Sequence, residues 1–106
     1  MLPTYSNFEQ VYLKTNNSTD NLTESFKITQ SGWYILKGQA YTNGPTGSPF
    51  ATGIEINGIS ILGFSAEKDL GAGWGLPQFS GICYLSAGIN VEIRTRYGTT
   101  ILYKVS

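Results

Sequence analysis

The sequence has no histidine, one cysteine and few charges. Without histidine, the commonest general base and the commonest metal ligand are both missing. Cys83 and the serines therefore lack their usual activator for nucleophilic catalysis. With Cys83 alone, no disulfide forms within the chain, and stability has to come from packing. Seven acids balance seven bases, with a pI near 6.1. A nucleic-acid binder carries a basic patch or a high pI, so no nucleic-acid partner is expected. No run approaches the roughly 18 apolar residues that span a bilayer, and neither membrane insertion nor a leader peptide is read from the chain. Helical periodicity is also absent, and well-spread glycines break any long helix.

What is present is a succession of short β-rich runs between turn signals, the pattern of a sandwich or barrel. One domain over residues 1–106 fits this length. The runs are Phe8 to Lys14, Leu22 to Thr29, Gly32 to Tyr41, a hairpin over Thr52 to Phe64, Phe79 to Leu85, Asn90 to Tyr97 and Thr100 to Val105. Asn57-Gly58 supplies a tight primed turn inside the hairpin. About eight strands and no helix are expected. "TNNSTDN" (Thr15 to Asn21) is a polar loop with Asn-x-Ser/Thr sequons at Asn16, Asn17 and Asn21; a eukaryotic secreted protein carries glycans on such sites, and a loop of this composition also produces them by chance.

The strands divide into two kinds. Ile54 and Ile56 alternate with Glu55 and Asn57, and Val91 and Ile93 with Glu92 and Arg94, as strands with one wet face do. "WYIL" (Trp33 to Leu36), "ICYL" (Ile82 to Leu85) and "ILY" (Ile101 to Tyr103) are apolar on both faces. A second face needs a cover, and a partner subunit is the simplest one. The alternative is a closed barrel with a few exposed aromatics. The oligomer reading places these three strands in one sheet lining the subunit contact.

The order of "FKITQSGWYILKGQAY", "GIEINGISI", "FSGICYLSAGINVEIRTRYG" and "TTILYKVS" resembles the tumour-necrosis-factor-like jelly roll, which includes complement-type globular heads and phage fibre tips. The matching features are Gly32-Trp33-Tyr34 at a strand start, Asn57-Gly58 at a strand end, and Tyr84 to Gly88 before the alternating Val91-Glu92-Ile93. The family's frequent aspartate after that last glycine is replaced by Ile89. The resemblance implies an all-β two-sheet jelly-roll sandwich forming a homotrimer through one sheet. It implies attachment to a host cell-surface receptor, protein or glycan, on a virion tail fibre or at a cell surface. The expected trimer-contact residues are Trp33, Ile35, Cys83, Leu85 and Tyr103. By analogy with the family's tyrosine, Tyr34 and Leu36 are assigned to the sandwich interior.

No cofactor or metal site and no catalytic residue is expected. Glu55 and Glu92 lie on the polar faces of their strands beside basic residues, as a solvated surface does. Glu67 and Asp69 lack a regular calcium-ligand spacing. Candidate ligand contacts are Trp74, flanked by glycines in "GAGWGLP", and Tyr41, Asn43 and Thr46 in the "TNGPTGSP" region. An aromatic-plus-polar mixture suits recognition. Trp74 folding back as a lid, and an ordinary turn at Tyr41 to Thr46, are the structural alternatives. A structural cap of a fibre and a carbohydrate-binding module are the alternative functions.

Overall fold

A computed structural model describes residues 8–67 and 76–106. Eight strands occur, β1 (Phe8–Asn16), β2 (Leu22–Lys27), β3 (Gly32–Ala40), β4 (Pro49–Ile56), β5 (Ile59–Glu67), β6 (Gln78–Leu85), β7 (Asn90–Arg96) and β8 (Gly98–Val105), with β1 running on into the expected loop at Thr15–Asn16 and the hairpin longer at both ends than Thr52 to Phe64. They form two four-stranded antiparallel sheets, ordered β1-β8-β3-β6 and β2-β7-β4-β5. Every connection passes from one sheet to the other except β4 to β5. That hairpin turns through Asn57 and Gly58, at φ 50° and 79°, the left-handed pair a two-residue primed turn demands.

The alternation of side chains closes the sandwich. Ile54, Val91 and Ile93 point inward from one sheet, and Tyr34, Leu36, Cys83, Leu85 and Leu102 from the other. Ile28, in the β2–β3 connection, completes this cluster. The assignment of Tyr34 and Leu36 to the interior agrees with their burial. The Tyr34 hydroxyl keeps a partner by donating to the Gln30 carbonyl at 2.6 Å. Toward the opposite end the core turns polar. Thr52 and Thr100 share a hydrogen bond of 2.7 Å, whereas the buried Thr95 Oγ1 has no partner among the described residues.

The three strands that are apolar on both faces, β3, β6 and β8, share one sheet, and β3 lies between the other two. The alternating strands β4 and β7 are neighbours in the other sheet. The corner between β7 and β8 consists of Tyr97 alone, at φ 52°. It works because the next residue is glycine: a Cβ at Gly98 would collide with the Gln39 carbonyl.

Candidate functional site

The outer face of the β1-β8-β3-β6 sheet carries the most conspicuous apolar surface. Period-two alternation puts Trp33 and Ile35 of β3 on it, because Tyr34 and Leu36 go inward. Register then places Tyr84 beside Trp33, Ile82 and Tyr103 on either side of Ile35, and Leu13 beside Ile101. Trp33, Ile82 and Tyr84 are 53%, 56% and 54% exposed. Trp33 and Tyr84 meet edge to face, with ring centroids 5.6 Å apart. Five side chains here at about half exposure (Phe8, Leu13, Trp33, Ile82, Tyr84) leave on the order of 500 Å² of apolar surface. A groove of about 410 Å³ crosses the face between Phe8, Ile35, Lys37, Ser80 and Tyr103.

The apolar character is confined to one half of this face. Beyond Lys37 the outward positions become Ser80, Gln39, Gln78 and Thr99. The polar half adjoins the end at which the chain passes between β1 and β2, β3 and β4, β5 and β6, and β7 and β8. Backbone bonds tie these links together: Tyr97 N–H to the Ser18 carbonyl, Tyr41 N–H to the Tyr97 carbonyl, and Ala40 N–H to the Pro77 carbonyl.

Two of the expected contact residues are corrected by the register. Cys83 and Leu85 are 8% and 1% exposed and belong to the sandwich core. Their neighbours Ile82 and Tyr84 occupy the outer face instead. In "ICYL" both faces are apolar, so composition alone does not fix which alternate pair points out. Residue type carried a usable signal, since tyrosine is enriched at interface cores and a small thiol suits an interior. Burial pushes the Cys83 thiol up from its ordinary pKa, which keeps it protonated and unreactive. Trp33, Ile35 and Tyr103, the other expected contact residues, lie on the outer face.

Among the candidate ligand contacts, Tyr41 is half-buried and its ring lies 5.7 Å from that of Tyr97, tilted by 54°. Asn43 and Thr46 are exposed in the same loop, which Ser48 closes by donating from its hydroxyl to the Pro45 carbonyl. Trp74 and Asp69 lie outside the described residues. Tyr97 was not singled out from sequence. Its proximity to Tyr41 is a product of topology, although "RYG" ahead of a strand hinted at a corner.

Glu55 and Glu92 are cross-strand neighbours on the outer face of the second sheet. Glu55 is engaged by Arg94 at 3.0 Å, and Glu92 accepts a hydrogen bond of 2.7 Å from Ser25. The pair therefore sits in a charge-mixed surface. Elsewhere, Tyr12 donates to Glu24 at 2.6 Å, and burial first, then this carboxylate, raises the Tyr12 pKa well above 10. The Asn16 side chain is committed to the Asp20 and Thr95 carbonyls, at 2.8 and 2.9 Å.

The strand edges differ in how they are guarded. The β1 and β2 edges carry Glu9, Lys14, Glu24 and Lys27. Charges of this kind discourage edge pairing. From Ile59 to Ala66 of β5, and throughout β6, there is no charge.

No protein-family profile matches the chain, and no curated protein does. In fold it is similar to a segment of a β-glucosidase from Paenibacillus barengoltzii, with a TM-score of 0.50 at 17% identity over 86% of this chain. The chain spans 10% of that enzyme's length, and a likeness at this identity concerns the fold alone.

Proposed function

We propose that this chain is a homotrimeric head module of a phage tail fibre or a comparable viral or bacterial surface fibre, a jelly roll of the tumour-necrosis-factor-like type that attaches to a host-surface molecule through its loops. The strand orders and the alternation of connections between sheets support the jelly roll. The observation that carries the assembly is the apolar outer face around Trp33, Ile82 and Tyr84. A stable interface takes about 800 Å² from each partner, and roughly 500 Å² of apolar surface forms its core with a polar rim around it. The uncharged edges of β5 from Ile59 to Ala66 and of β6 offer a second surface to which a neighbour's face packs. A face-to-edge contact is heterologous, and it closes into a ring when the rotation permits.

Three copies held rigidly raise the avidity of weak loop contacts through effective concentration. The test is adhesion of the fluorescently labelled chain to a panel of bacterial and animal cells, compared with Ile82→Lys. The parent is expected to be retained on some surface, and the face-charged monomer to lose at least about tenfold in retention. Equal retention of the two would overturn multivalent attachment. An assembled parent that binds no surface would point to a structural cap.

A further inference from the structure

We infer that the end of the sandwich bearing the β1–β2, β3–β4 and β7–β8 links is a carbohydrate-binding surface, with Tyr41 and Tyr97 as its ring faces and Asn43, Thr46 and Arg96 as its polar contacts. This inference rests on the attachment reading and names the end of the module and the ligand class. Three observations lead to it.

The first is Tyr97 itself. A bulky residue at φ 52° pays a conformational cost that glycine or asparagine would avoid. The corner is nevertheless fixed from both sides, by the Ser18 carbonyl at 3.2 Å and by the Tyr41 N–H at 2.8 Å. Non-glycine residues held in such sparsely populated conformations cluster at active sites and ligand clamps, and here the Tyr97 ring packs against Gly44 of the β3–β4 loop. The second is what surrounds it. Tyr41 tilts against Tyr97, and Asn43 and Thr46 stand exposed in the adjoining loop. The third is Arg96. Its Nε donates to the Thr19 carbonyl at 2.6 Å, which holds the side chain in one orientation. Arg96 also lines a separate furrow of about 350 Å³ with Pro49, Ala51, Ser65 and Glu67, which none of Tyr41, Asn43, Thr46 and Tyr97 lines.

Half-buried phenol rings, an amide, a hydroxyl and a fixed guanidinium match the alternating C–H faces and hydroxyl edges of a sugar. A protein receptor needs a buried apolar anchor pocket. Among the described residues, exposed apolar side chains gather at the opposite half of the β1-β8-β3-β6 face and at Ile59 and Ile61 of β5, and a second copy occupies the former under the assembly reading.

The experiment presents the full chain to a printed panel of oligosaccharides ending in glucose, galactose, mannose, N-acetylglucosamine or N-acetylneuraminic acid. The variants Tyr41→Ala, Asn43→Ala and Tyr97→Asn are run in parallel, with oligomeric mass measured on each. Asparagine tolerates the left-handed corner, so Tyr97→Asn removes the ring while the turn is kept. The parent is expected to bind a subset of saccharides, and each variant to lose about tenfold or more at unchanged mass, the equivalent of one good contact. Two results would overturn the inference: no saccharide bound by a parent that adheres to cells, or saccharide binding indifferent to all three variants. Saccharide binding by a parent that proves monomeric would leave this site standing and remove the trimer.

Discussion

Leu36 offers the clearest energetic test of which face is which. It is fully buried among Ile28, Ile54, Ile93 and Leu102, whereas its chain neighbour Ile35 is half-buried on the outer face. One β-sheet partner of Leu36 is Gly81, whose position is covered by the Phe79 and Leu62 side chains. Leu36→Ala removes a fully buried side chain and is expected to cost about 3–4 kcal/mol, within the Leu→Ala range. For a domain of this size that lowers Tm by roughly 15–25 °C. Ile35→Ala removes side-chain surface that is only partly covered, and costs about 1 kcal/mol within one chain. The assay is thermal and urea unfolding followed by circular dichroism, with both substitutions placed in the Ile82→Lys background so that assembly adds nothing to either. A Leu36→Ala shift below about 5 °C, or a larger loss from Ile35→Ala, would refute the two-faced reading of β3.

Two further outcomes follow from the interior. Thr95→Val replaces a buried hydroxyl that has no partner among the described residues with a methyl of similar volume, and should raise stability by about 1 kcal/mol, read as a higher urea midpoint. A lowered midpoint would mean that the hydroxyl is satisfied. Stability should also fall at alkaline pH. Burial holds Cys83, Tyr12 and Tyr34 protonated in the folded chain, while their unfolded counterparts ionise from ordinary values of 9.0 for the thiol and 10.0 for the tyrosines. Raised folded-state values make the unfolded chain the one that releases protons, so unfolding becomes easier as pH climbs past 9. Urea midpoints measured between pH 8 and pH 11 check this, and a flat profile would contradict it.

Much of the fold was legible in the chain because two periodicities agree. Turn residues such as Asn57-Gly58 and Ser86-Ala87-Gly88 mark strand ends, and alternation in Ile54-Glu55-Ile56 identifies a wet-faced strand. The same logic weakens wherever both faces are apolar. For "WYIL" the analogy to a buried tyrosine selected the inward pair, and the burial of Tyr34 agrees. For "ICYL" no such anchor existed, and the pair Cys83 and Leu85 was placed outward although it packs inward. The proposed recognition end was legible only in part. Tyr41 and Asn43 stand out in their loop, but Tyr97 and Arg96 come from a distant corner, and only the strand order brings them together. Trp74 is outside the described residues.

The most direct measurement on the outer face is sedimentation equilibrium of the full chain at concentrations on the order of 10 μM, beside Ile82→Lys. Ile82 is exposed and cross-strand from Ile35, so a lysine there is tolerated by the fold and placed in the middle of the contact. The parent is expected at about 35 kDa, three chains of 11.6 kDa, and Ile82→Lys at the mass of one chain with an unchanged circular dichroism spectrum. A parent that stays at 11.6 kDa up to about 100 μM, or an Ile82→Lys variant that keeps the parent's assembled mass, would contradict assembly through this face.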